Sequence, residues 1–576
     1  MLVFLMALAV VQDTTIVIHP DSSGATLQSR VLPRAVTEEV IAFYNAAGTT
    51  RLVGRTRLPH GNEWRGNVAV RNGPVFVAGR VDGTLLIVNG DLLLDTGAEI
   101  TGDLIVVGGT VDGGAGARVA GRARVYREPL LYRLRGKGDE LVYAPSLRRR
   151  LFNPGARVSW GEADTRSSLT IATGGTFNRV EGLPVVFGPL LDWKLQDNFR
   201  LRADALGVFR SAGDLSDKRS DLGYMLRSEL RSGEMRPVGI GLRAYDVVTP
   251  VEDWGLRSAE IGWSAFLFAR DYRDYYLNKG WAARVFANPE RQLSTSFEVR
   301  YEWQTSVAAR DPWTLFRNSD PWRPNAPIDE GHFTTLAANA TLDTRNDVAD
   351  PTSGWLVRAT MEHGRSKDVI PNAGVPATVR EPIPTDGSYA FSRLFVDVRR
   401  YLRVSPSGRV NLRLVTGGWV GGDALPIQKR LSLGGPDPMP GHPFRAAACN
   451  RDIVDAAFAG SRLAACDRIV AVQAEYRGHL KLNWSYNPGR GESDDDYSNS
   501  LFWLEGLDLV VFTDAGQGWL VGNGPGRLPG SQLPPFDSWL VDVGLGVDWG
   551  GFGVYLAKAV TTGERLRLTV RLDHRF

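Results

Sequence analysis

In the stretch LSTSFEVRYEW, Leu293, Phe297, Val299, Tyr301 and Trp303 fall on one face of an extended chain, while Ser294, Ser296, Glu298, Arg300 and Glu302 fall on the other. The same two-residue period returns at NFRLRADALGVF, RLFVDVRRYLRV and LRLTVRLDHRF, and from Leu183 onward about 16 such segments can be counted. Charge on alternate residues suits a sheet with hydrocarbon on one side and water or polar protein on the other. A soluble sandwich would bury its apolar faces instead, and alternation alone is compatible with both. Two features favour the membrane. Tryptophan and tyrosine gather near strand ends, as interfacial girdles do, and Leu568, Val570, Leu572 and Phe576 share a face of the last patterned segment. The expected fold is all-β, with a C-terminal transmembrane antiparallel β-barrel over residues 166–576 preceded by a small β-helix or solenoid. An even strand number closes such a barrel with no edge left in lipid. Three long polar loops, Asp311–Glu330, Asp368–Asp386 and Asn487–Ser500, are expected on its outer side.

Ahead of the barrel the texture changes. The longest apolar run, MLVFLMALAVV, has about half the residues that a spanning helix needs. With small residues at Ala7 and Ala9 and polar QDTT after it, residues 1–12 read as the core of a secretory signal. Residues 13–64 form an N-terminal segment with a short helix expected at Thr37–Gly48. Residues 65–127 read as glycine-bounded β-rungs recurring every 17 or so residues, with LIVNGDL and LIVVGGT nearly superimposable. A rung cannot bury its apolar side alone, whereas stacked rungs can. The texture resembles the bactofilin-type β-helix, and a small glycine-rich sandwich is the alternative. Residues 128–165 are an arginine-rich connector, expected to join a periplasmic solenoid to the barrel.

The long connection at about 421–467 carries RLSLGGPDPMPGHPFR. Its glycines allow a tight backbone path, and its four prolines stiffen the segment after them. Both cysteines of the chain, Cys449 and Cys466, lie in it. In an exported protein a disulfide closing about 18 residues would contribute roughly 3 kcal/mol, and no histidine pair stands at metal-ligand spacing. The ordered string LGG, PGHPF, AEYR and FTDAG resembles the sixth loop and the next two strands of the BamA/TamA superfamily of outer-membrane assembly and translocation barrels. The loop motif is carried by Leu433, Gly434, Gly435, Pro440, Gly441, His442, Phe444 and Arg445. Its lumenal partners would be Glu475, Tyr476 and Arg477 on the twelfth strand and Phe512, Asp514 and Gly516 on the thirteenth. The resemblance implies a loop arginine that reaches back to these acids. Pro440 stands where that arginine would be; of the nearest candidates, His442 and Arg445, Arg445 is the expected substitute, paired with Asp514, and the alternative is a lock that rests on backbone hydrogen bonds and the disulfide. DTRNDVADPTSGW resembles another stretch of the superfamily, with Asp343 and Arg345 as a turn pair, and the terminal phenylalanine resembles an outer-membrane barrel signal.

No metalloprotease motif, nucleophile elbow or phosphate loop occurs, so no enzymatic activity and no cofactor or metal is expected. Asp494–Asp496 reads as a solvated loop tip rather than a cation site. A net charge of +3 over 576 residues gives no reason to expect nucleic acid. The resemblance implies a bacterial outer-membrane protein that inserts or translocates polypeptides or lipids, with lipid, unfolded clients or accessory lipoproteins as partners. A structural or adhesive surface barrel and a passive pore are the alternatives. Polypeptide-transport-associated repeats, which usually precede such barrels, carry two helices each, and that periodicity is missing here.

Overall fold

A computed structural model describes residues 32–576 except 33, 55, 110, 114–115, 127–129, 131, 136–139, 144–154, 162–164, 197, 214–220, 234–236, 291, 347–350, 406–407, 450–462, 480–506 and 550–551. The expected signal at 1–12, Asn487–Ser500 and Asp494–Asp496 therefore lie outside the described residues.

Helix α1 (Arg34–Asn45) leads into a three-sided β-solenoid of about four turns, its strands stacked in parallel ladders of five, four and four. Thr50 pairs with Val68, Val68 with Leu85, Leu85 with Leu104 and Leu104 with Ala123. The register sets Leu85-Leu86-Ile87-Val88 against Leu104-Ile105-Val106-Val107, one residue away from the superposition that the shared LIV letters suggest. A slip of one would exchange inward and outward faces. As built, Leu85, Ile87, Leu104 and Val106 fill the solenoid core. Leu86, Val88, Ile105 and Val107 point the other way, and α1 covers them with Val40 and Tyr44. One corner is lined by stacked glycines, since a Cβ on Gly109 would stand 1.9 Å from the Gly90 carbonyl oxygen. The solenoid begins one rung earlier than Arg65, at Thr50. The expected connector is in part structured: Tyr132–Arg135 pairs with Glu140–Tyr143, and Leu130 and Leu141 join the α1 cluster.

Among the described residues, seventeen antiparallel strands follow in sequential order, from Gly155–Trp160 to Arg567–Arg571, with a two-residue parallel bridge at Arg527–Leu528. Seventeen is odd where an even number was expected: fifteen strands follow Leu183 rather than about 16, and two, Gly155–Trp160 and Thr165–Thr173, precede it, so AEYR falls on the thirteenth strand and FTDAG on the fourteenth. Alternation is obeyed throughout. Phe297, Tyr301 and Trp303 are exposed, while Glu298, Arg300 and Glu302 are buried. Val543, Leu545, Val547 and Trp549 face out, and Asp542 and Asp548 face in. A sandwich would show the reverse. The two ends of the sheet meet at helix α2 (Ser258–Phe268): Gly262 packs on Thr176 and Phe177 beside the second strand, and Glu260 accepts from Arg571 in the last at 2.7 Å. The sheet therefore wraps into a barrel, with the charged face inside. No helix among the described residues is long and apolar enough to cross a membrane.

Among the described residues, short turns lie at one end of the barrel and long loops at the other. The solenoid stands at the short-turn end, where its Asp91 accepts from Arg403 at 3.0 Å. Asp311–Glu330 and Asp368–Asp386 emerge at the long-loop end.

Candidate functional site: a loop seated in the barrel lumen

The connection between strands Gly408–Gly422 and Arg468–His479 folds back on itself inside the barrel. Backbone bridges join Leu431 to Cys466 and Leu433 to Ala447. Leu431, Leu433 and Met439 then pack with Val415, Ile469 and Ala471 of the wall. Burying that many apolar groups against the wall fixes the loop's path. Cys449 and Cys466 stand at its base with Cα atoms 4.9 Å apart, within disulfide reach.

Polar contacts hold the loop at three levels. At its return, Arg445 donates to Asp274 Oδ2 at 2.5 Å and to Glu252 Oε2 at 3.0 Å. Asp274 is also met by Arg179 at 2.6 Å and Arg323 at 2.7 Å, and Phe444 lies under the Arg445 and Arg323 guanidinium groups. At the tip, Gly441 N–H donates to Asp542 Oδ2 at 2.6 Å and His442 Nε2 lies 3.2 Å from the Val541 carbonyl. Gly441 tolerates no side chain, since a Cβ would stand 2.5 Å from that of Asp542. Between these levels Gln473 Nε2 donates to the Pro438 carbonyl at 2.8 Å.

The expected pairing of Arg445 with Asp514 is not formed. Arg445 comes after the tip in the chain and returns toward Glu252 and Asp274, in the connection between strands Val238–Pro250 and Tyr275–Glu290, and not toward the strand Leu507–Val521. Asp514 is instead met by Arg575 at 2.5 Å. The same guanidinium lies 3.5 Å from Glu475 and stacks on the Phe512 ring. Arg477 pairs with Glu475 at 2.7 Å and with Asp548 at 3.1 Å. Gly516 lies against Leu433 of the loop. Tyr476 is not lumenal: strand alternation turns it outward between Glu475 and Arg477, and it is exposed. Gly434 and Gly435 hold positive φ angles, and Pro440 is buried at the tip.

The end of the sequence also departs from expectation. Leu568 and Val570 face outward in strand Arg567–Arg571, but Leu572 and Phe576 do not continue that face. Glu260 of α2 takes both the Arg571 side chain and the Leu572 N–H, the latter at 3.0 Å. The chain then leaves the sheet and enters the lumen, where His574 lies 3.1 Å from Asp548 and Phe576 is buried. Asp343 and Arg345 do form a turn pair, at 2.8 Å and 2.9 Å.

Sequence reasoning missed Glu252, Asp274, Asp542 and Arg575 as partners. The one signal in the sequence was phase: Asp542 occupies the inward register of its strand. Pairing was invisible, because these contacts join residues 171, 101 and 61 positions apart.

Among curated proteins none matches the chain. Solved structures similar to it include BamA from Haemophilus ducreyi lacking POTRA domains 1-3, at 11% identity, covering 76% of this chain and 73% of that one with a TM-score of 0.39. CdiB from Acinetobacter baumannii is similar at 9% identity over 76% and 69%, TM-score 0.29, and CdiB from Escherichia coli at 12% over 77% and 66%, TM-score 0.28. Scores this low carry no argument. A family match spans residues 248–487, from the end of strand Val238–Pro250 through the seated loop and the strand bearing Glu475, and is to the Omp85 superfamily domain.

Proposed function

We propose that this chain is a bacterial outer-membrane barrel that inserts or translocates polypeptides, or lipids, without catalysing a covalent step. The observation that carries the reading is the long loop bound within a charged lumen, in a chain with an Omp85 superfamily domain. A filled lumen with internal ion pairs gives a wall that can deform without exposing apolar surface to water. In this reading the exposed apolar band contacts lipid and the solenoid lies in the periplasm, where unfolded clients or lipoproteins would reach it. In that oxidising compartment Cys449 and Cys466 form a disulfide. A second reading, a structural or adhesive barrel, is favoured by the stacked rungs that stand before the barrel.

Proteoliposomes holding the full chain test the proposal. Accelerated folding of a client barrel supports insertion. Flux of a small solute without such acceleration supports a pore, and neither result supports the structural reading. Cross-linkers on the solenoid rungs, in the native envelope, would capture a periplasmic client only if the first reading holds.

A further inference from the structure

Under the loop tip, two carboxylates face one another. Asp514 and Asp542 are direct cross-strand partners. Both point into the lumen, with exposures of 1% and 0%. Asp514 receives Arg575 at 2.5 Å on Oδ2 and Gln473 at 3.3 Å on Oδ1. Asp542 Oδ2 receives the Gly441 N–H, while its Oδ1 is buried and meets no donor. The cation facing this pair is Arg575, which Glu475 also draws on at 3.5 Å. On the loop the nearest titratable group is His442, with Glu564 and Arg567 beyond it. On the neighbouring strand Lys558 is exposed.

Two carboxylates this close and this dry resist ionising together, and an acceptor oxygen without a donor is where a proton would be held. We propose that Asp514 and Asp542 share one proton on the lumenal wall, and that this proton keeps the tip at residues 439–442 seated. With the proton present, a hydrogen bond ties the two acids across the strands and leaves Asp542 Oδ2 free to accept from Gly441. When it is lost, two anions press apart and the acceptor moves away from Gly441. Seating is therefore complete at low pH and fails as pH rises through loss of the shared proton.

Met439, fully buried at the start of the tip, is the reporter, and exposed Met361 on the outer face is the internal reference. The full chain in detergent micelles is treated with hydrogen peroxide, and sulfoxide at each methionine is followed by mass spectrometry. Between about pH 6 and about pH 9 the Met439 rate relative to Met361 should rise at least about threefold in the wild type. Asp542→Asn supplies through its amide the donor that the proton would supply, so its rate should be low and flat. Asp514→Asn offers the same donor from the other strand and serves if the first variant fails to fold. His442→Gln should keep the wild-type slope. A flat wild-type rate, an unchanged slope in the Asn variants, or a slope abolished by His442→Gln would each overturn the proposal.

Discussion

The solenoid and the barrel are both built from period-two strands, yet their insides are opposites. The solenoid interior is a column of Val, Leu and Ile with no charge among its core residues. The barrel interior holds Arg300, Glu362, Arg413, Asp397, Glu475 and Arg477, all buried. Leu545 and Val547 of the same wall are turned outward. The difference teaches that alternation fixes only that two faces differ. Which face goes in depends on the surrounding solvent, because apolar groups move away from water in one case and toward hydrocarbon in the other.

Charge placement should break the two interiors unequally. Val106→Asp puts an unpaired carboxylate into the dry solenoid core and should cost more than about 4 kcal/mol, read as loss of the solenoid's hydrogen-exchange protection while barrel strands keep theirs. In the lumen the damage comes from removing a charge. Arg445→Ala takes the guanidinium from Glu252 and one of three from Asp274, and should cost on the order of 3 to 5 kcal/mol in urea unfolding from micelles. Arg445→Ala combined with Asp514→Asn should add to within about 0.5 kcal/mol, whereas Arg445→Ala with Asp274→Asn should not.

On the outer wall, Leu545→Arg should cost roughly 2 to 4 kcal/mol in a bilayer, measured as reversible unfolding in liposomes. Cys466→Ser should cost roughly 3 kcal/mol by the loop-entropy argument, and dithiothreitol should match it.

The smallest effect belongs to the solenoid surface. Arg124 bonds Glu39 of α1 at 2.6 Å and 2.8 Å and holds its carboxyl below the usual value. A depressed value means that this contact stabilises above the unfolded-state value and is lost as pH falls through the folded one. The pair is exposed, so Glu39→Gln should change amide exchange in α1 by only a few tenths of a kcal/mol, about the same as acidification achieves in the wild type.

How much of this could be read beforehand differs by region. The helix expected at Thr37–Gly48 is α1 at Arg34–Asn45, because its spaced Val40 and Tyr44 reflect a local apolar stripe. The glycine-bounded rungs were legible for a similar reason, although their register was not: LIV occurs in both rungs, and the glycine corners, rather than the apolar letters, set the stacking. The loop motif was legible as a loop and its partners were not.

The sequence by itself determined two β architectures, the inward phase of Glu475, Asp514 and Asp542, and a stiff loop between two barrel strands. Each of these comes from spacing along the chain, since strand geometry repeats every second residue. The tertiary structure alone decided that Arg445 meets Glu252 and Asp274, that Arg575 serves Asp514, and that residues 572–576 turn into the lumen. These contacts form where the wall curves back on itself, and a charge in a dry lumen pairs with whatever opposite charge that curvature brings within reach.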